Sequence, residues 1–242
     1  MSKSTPAVAI AERTAVGDFR ARSEGPAVPL AQEKRKYTFR KRGESIAETR
    51  LSILRAASAS FLERGIQRTS MAEVARRAGV AQGSVFHHFS NREGLIEETL
   101  SYALGTLPTP RAEEWDALGD PLERMAALIR QLHECYAAGA AWRKVIATES
   151  ASVPALARSQ KEWDERVEGL VTHALGPLAQ DRTVRPGIMA IIDGSFWLRL
   201  TENGASPERA FDIAVRLMEL WVEQAVPGAQ VSPTGLRRIA GT

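Results

Sequence analysis

From Glu44 onward the apolar residues recur at steps of three and four, the period of an amphipathic helix. Ile46, Ile53, Leu54, Ala57 and Phe61 form one such stripe, which Gly65 ends. A short helix is expected after Ser70, because Glu73 three residues on completes a capping-box spacing. It stops near Ala78-Gly79, where glycine can take the left-handed backbone of a turn. A second short helix spans about 82–89, and Ser90-Asn91-Arg92-Glu93 repeats the capping spacing ahead of a helix reaching about Leu104. The Gly- and Pro-bearing stretch 105–119 reads as a connector with a helical turn around Trp115. Asp120, Pro121 and Glu123 open a helix that runs to about Ala138. A turn or two at 142–149 precedes a long helix after Pro154, with Leu156, Trp163, Val167, Leu170, Val171 and Ala174 on one face. Pro186 and the Ser206-Pro207 pair mark the starts of the last two helices. With no strand-like alternation competing, the fold class is all-α.

Charge divides the chain in a way that its total of +3 conceals. Residues 1–43 carry +6, 44–105 carry 0, 106–226 carry −5 and the tail from 227 carries +2. A basic end on an acidic body suggests that one end meets a polyanion. Residues 1–33 have no sustained period and read as disordered. The run 34–42 packs six cations into nine residues, and such a run repels itself and stays extended until a polyanion compensates it. The expected domains are a disordered basic arm at 1–43, a helix-turn-helix domain at 44–105, a further helical domain at 106–226 and a flexible tail at 227–242.

The unit at 70–89 has the spacing of a helix-turn-helix, in which the second helix projects into a DNA major groove. Gln82 and His87 are placed to read base edges, while Ser84, His88 and Arg92 can hold phosphates. Gly83 would let the backbone come close to DNA. Lys41 and Arg42 end the basic run just before the supporting helix, within reach of the DNA backbone or minor groove.

The residues from Thr69 to Phe89, TSMAEVARRAGVAQGSVFHHF, followed by Asn91-Arg92-Glu93-Gly94-Leu95-Ile96, resemble the DNA-binding domain of the tetracycline-repressor (TetR) family. Arg50, Ile53, Leu54, Ala57, Phe61 and Gly65 match its supporting helix, so the resemblance covers about 50 residues. It adds Ser70 and Phe86 to the expected DNA-binding positions. Three positions depart from the pattern. Phe86 stands for the usual tyrosine and removes a hydroxyl, Arg92 stands for the common lysine, and Ala81 stands where a serine cap is usual. The resemblance implies a homodimer whose C-terminal domain binds a small effector and changes the spacing of the recognition helices. It further implies a sequence-specific transcriptional regulator, a repressor released from a near-palindromic operator. Residues 190–199, AIIDGSFWLR, also resemble the choline/betaine-pathway repressor branch of that family.

In the C-terminal half, apolar residues surround the segment from Ile188 to Leu200. The last helix carries one stripe of Phe211, Ala214, Val215, Met218, Trp221 and Val222 and a second of Ile213, Leu217 and Leu220. Two apolar faces need two partners, so Phe196, Ile213, Leu217 and Leu220 are expected at a homodimer interface. Five tryptophans invite an aromatic cage for a cationic ligand. The candidate effector-pocket residues are His133, Tyr136, Trp142, Glu149, Trp163, Asp193 and Trp197, with Glu149 and Asp193 available to neutralise a cation.

The expected partners are therefore double-stranded DNA, a second copy and an unidentified small-molecule effector, with no membrane. No cofactor or metal is implied: there is no Cys/His cluster of zinc spacing, no Gly-rich phosphate loop and no nucleophile elbow. A helical DNA-binding accessory protein without an effector, or an all-helical enzyme, would be the alternatives. The lone Cys135 and the absence of a secretory signal or an apolar span suggest the cytoplasm.

Overall fold

The computed structural model describes the backbone of residues 30–226 and the side chains of residues 43–226. By internal contacts the chain forms two compact units, 1–44 and 45–242. The described part of the first is the beginning of helix α1 (Leu30–Arg64), so the basic run at 34–42 is helical and not extended. Lys, Arg, Gln and Glu are strong helix formers, and extending an existing helix needs no new nucleus. The side chains of Lys41 and Arg42 lie outside the described residues, as do the backbones of 1–29 and 227–242.

The helices of the second unit have legible starts and stops. Gly65 ends α1 at φ 85°. Ser70 caps α2 (Met71–Ala78), its hydroxyl accepting the Glu73 N–H at 3.2 Å, and Gly79 closes it at φ 72°. Helix α3 (Gln82–Phe89) begins at Ala81 with no side-chain cap. Asn91, and not Ser90, caps α4 (Arg92–Leu104), its side chain accepting the Gly94 N–H at 2.8 Å. Ser90 is instead the turn residue that closes α3, at φ 55°. A single 3-10 turn at Ala112–Glu114 interrupts the connector. Then come α5 (Pro121–Ala138), α6 (Ala140–Glu149) and α7 (Pro154–Leu175), with Asp120 capping α5.

One continuous helix from Pro186 is not formed. The chain makes α8 (Val184–Ile191) and α9 (Gly194–Glu202), broken where the Asp193 carboxylate accepts the Ser195 N–H at 2.8 Å. An Asp that bonds nearby backbone favours a cap over a helix interior, and the following glycine weakens continuation. Ser206 caps the last helix, α10 (Pro207–Ala225). Among the described residues there are ten α-helices and no strand.

Two hydrophobic clusters hold these helices together. The first joins Ile53, Ala57 and Phe61 of α1 with Val74, Val85, Phe89, Leu95, Ile96 and Leu100. It also takes in Trp142 and Val145 of α6 and Ala155 and Leu156 of α7. The helix-turn-helix thus rests on part of the C-terminal half. Ile46, expected in the α1 stripe, is 51% exposed and contributes nothing to it. The second cluster joins α5, α7, α8, α9 and α10 through Leu128, Leu132, Val171, Ile188, Trp197, Phe211 and Met218. Each fully buried side chain of this size contributes about 1.5–3 kcal/mol.

Candidate DNA interface and effector cavity

Helix α3 buries Val85 and Phe89 and leaves Gln82, Gly83, Phe86 and His87 on its exposed face. These four lie at i, i+1, i+4 and i+5, the spacing of one side of a helix. Phe86 is 45% exposed, a large apolar ring held to solvent. Gly83 has open space where a Cβ would stand, so no neighbour among the described residues requires a glycine there. Ser84 and His88 are half-buried at the flanks. Burial, then His87 and Arg50, hold the His88 pKa below the usual histidine range, so at neutral pH it offers a neutral ring and not a cation.

Two other expected DNA contacts already have partners within the chain. The Ser70 hydroxyl caps α2, and Arg92 donates to the Ile66 carbonyl at 2.6 Å. Arg50 sits over the Phe89 ring at 4.8 Å and pairs with Glu98, fastening α1 to the end of α3 and to α4.

A cavity of about 630 Å³ lies between α4, α5, α6 and α7. Leu100, Leu104, Leu107, Trp142, Ile146 and Trp163 make most of its apolar wall. Arg143, Arg158 and Arg166 bring positive charge to it, and Glu97 and Glu162 negative charge. Arg158 of α7 bonds both Glu97 and Glu93 of α4, the latter at 3.1 Å. Cys135 also lines the cavity, and burial pushes its thiol pKa up, so it stays protonated at neutral pH.

Of the residues expected in an effector pocket, Trp142 and Trp163 line this cavity. His133, Tyr136 and Trp197 lie instead in a buried aromatic group with Phe211. The His133 ring centroid is 6.3 Å from those of Tyr136, Trp197 and Phe211. The Tyr136 hydroxyl donates to the Ile192 carbonyl at 2.9 Å. Neither nitrogen of His133, nor Trp197 Nε1, has a hydrogen-bond partner among the described residues.

The two carboxylates expected to neutralise a cationic ligand are elsewhere. Glu149 accepts the Gln67 N–H at 3.0 Å and lies against Gly65, tying the end of α6 to the turn after α1. Asp193 caps α9. Both are committed to backbone donors, a use that residue type and spacing do not separate from ligand binding.

This chain is similar to known regulators over most of its length. The HTH-type transcriptional regulator BetI of Serratia proteamaculans is 30% identical over 174 residues, 69% of this chain and 87% of that protein. Residues 53–99 match the family described as bacterial regulatory proteins, tetR family. The chain belongs to the TetR family. A TetR-family member from Streptomyces coelicolor A3 is 27% identical, with a TM-score of 0.54 over 70% of this chain and 97% of that one. The HTH-type transcriptional regulator TtgR of Pseudomonas putida is 36% identical over 94 residues, 38% of this chain and 45% of that protein. These relatives are transcriptional regulators and not enzymes, and this chain is a DNA-binding transcriptional regulator.

In this TetR-family regulator, Leu217 and Leu220 are 39% and 44% exposed, while Phe196 and Ile213 are half-buried. Trp221, expected in the core stripe, is exposed, donates to the Thr183 carbonyl at 3.1 Å and lies against Gly187. The cavity arginines were not among the residues singled out from sequence. An arginine on a helix reads as a solvated position whatever its neighbours in sequence, and only packing shows which ones turn inward. Among the described residues no helix is long and apolar enough to cross a membrane.

Proposed function

We propose that this regulator is a homodimeric repressor that reads a near-palindromic operator with α3 and is released by a small molecule held in the cavity. The observation that carries the reading is the double role of α4. Its Leu95, Ile96 and Leu100 belong to the cluster that seats the helix-turn-helix, while Leu100, Ser101 and Leu104 line the cavity. A ligand that presses on α4 therefore shifts the seat of α3, and Arg158 with Glu93 and Glu97 is the polar link between α7 and α4. In this reading residues 44–105 form the DNA-binding domain and 106–226 the effector and dimerisation domain. The basic arm at 1–43 adds phosphate contacts through Lys41 and Arg42. The protein works in the cytoplasm where the chromosome lies. Two copies place their α3 helices about 34 Å apart, one DNA turn.

The test is selection of bound sequences from random duplexes, followed by anisotropy titration of the selected site. Alanine at Gln82 or His87 should relax preference at one or two base pairs and cost roughly 1–3 kcal/mol on the selected site. Binding to unrelated duplexes should be unchanged. Recovery of no preferred sequence by the wild type would end the specific-reader proposal.

Gly83 gives a sharper test, because two effects of opposite sign are expected. Glycine costs up to about 1 kcal/mol against alanine in a helix, less in the first turn where Gly83 stands, and a Cβ here meets nothing among the described residues. Gly83→Ala should therefore raise the thermal midpoint while weakening operator binding, if DNA is what needs the close approach. A variant that gains stability and binds DNA as well as the wild type would show that Gly83 is not at the interface.

A further inference from the structure

We infer that the ligand of the cavity is a monoanion with an apolar body, a carboxylate on an aromatic or alkyl frame, held by Arg143. This rests on the effector reading above and adds the ligand's charge. The half-buried guanidinium of Arg143 lies over the Tyr136 ring, 4.0 Å from its centroid. It also packs against Gly194, which is buried and where any Cβ would overlap the guanidinium. The group is thus clamped between a ring and a glycine backbone.

Among the described residues Arg143 forms no ion pair. The charge of Arg143 acts on Asp164 from beyond ion-pair distance, and Asp193 acts on the same Tyr136 and Asp164. The other charges on the cavity wall balance more closely. Glu97 is taken by Arg158, and the exposed Glu162 stands one helical turn before Arg166. A half-buried, immobilised cation that no described carboxylate contacts loses hydration, and the Tyr136 ring offsets only part of that loss. A planar carboxylate matches its fork of donors, and immobilisation before binding lowers the entropic cost. Trp142, Trp163, Leu100, Leu104 and Ile146 provide apolar surface for the rest of the ligand. A quaternary ammonium would meet a like charge, and the carboxylates of Glu149 and Asp193 are each bonded to a backbone N–H and do not line the cavity wall.

Calorimetric titration of the full chain tests this with octanoate, dodecanoate and 2-naphthoate. Each is compared with its neutral primary amide and its trimethylammonium counterpart. At least one carboxylate should bind about tenfold or more tightly than its amide, and the ammonium compounds should be weakest. Arg143→Met should abolish the carboxylate's advantage and leave amide binding in place. Arg143→Lys should restore part of it, and Gly194→Ala should reduce it by pushing the guanidinium off its seat. Thermal midpoints and operator affinity of the ligand-free variants report on folding.

The wild-type charge series decides the matter even if a variant fails to fold. Equal or tighter binding of the amide or ammonium form overturns the inference while leaving the cavity as an effector site. No binding by any probe overturns it as well. A carboxylate that binds preferentially but leaves operator affinity unchanged supports the inference and overturns the release mechanism.

Discussion

Leu217→Glu is expected to turn a protein that sediments as a dimer into one that sediments as a monomer at micromolar concentration. On α10, Ala214, Val215, Met218 and Val222 are buried, whereas Leu217, Leu220 and Trp221 stand about two-fifths exposed with Ile213 half-buried beside them. This second stripe, with Phe196 of α9, is the surface proposed to meet its copy. Covering each large side chain contributes up to roughly 1.5–3 kcal/mol, an upper figure because the single chain already covers part of it. A glutamate in that seam would lie buried without a partner, while in the free chain it stays wet and the fold is spared. Operator affinity should fall about 100-fold or more, the scale of the avantage that joining two reading modules confers. Leu220→Glu should act in the same direction. A wild type that sediments as a monomer would refute the dimer, and two dimeric variants would move the interface off this stripe.

The second large effect is on acid stability and belongs to His133. Burial, with a smaller contribution from Arg130, pushes its pKa down to about 4. The unfolded chain takes up this proton near pH 6.5, the folded chain only near pH 4. Protonation therefore favours the unfolded state: stability from this site is complete above pH 6.5, declines as pH falls and is lost below about 4. The loss approaches roughly 3 kcal/mol. His133→Leu should remove this component. Its stability relative to wild type should rise by that amount between pH 7.5 and pH 4, measured by urea unfolding at each pH. Because both ring nitrogens lack partners among the described residues, the variant should lose little even at pH 7.5. Parallel pH profiles for the two proteins would show that His133 takes up its proton equally well in the folded state.

Most of the helical plan was readable because its signals are local. Ser70, Gly79, Asp120 and Ser206 act on donors and backbone angles within a few residues, so their types and spacing suffice. The boundary at Ser90 and Asn91 is less legible because both are good caps, and which one caps depends on how α3 ends. The projecting face of α3 was legible for the same local reason, since Val85 and Phe89 alternate with the exposed residues at helical spacing. The roles of Ser70 and Arg92 were less so. Each can meet a phosphate or a backbone group, and the structure supplies backbone partners for both.

The order of residues along this chain was enough to specify an all-α protein with a helix-turn-helix at 70–89 and a two-faced last helix. Caps, turn glycines and helical periodicity are interactions over three or four residues, and they are written in sequence order. The cavity is different. Arg143 meets Tyr136 and Gly194, Arg158 meets Glu93 and Glu97, and Glu149 meets Gln67, pairs separated by 7 to 82 positions along the chain. Whether a tryptophan lines a cavity or fills a core, and whether an acid faces a ligand or caps a helix, depends on which helices pack together. That choice is made by the sum of many weak apolar contacts, and no single residue announces it.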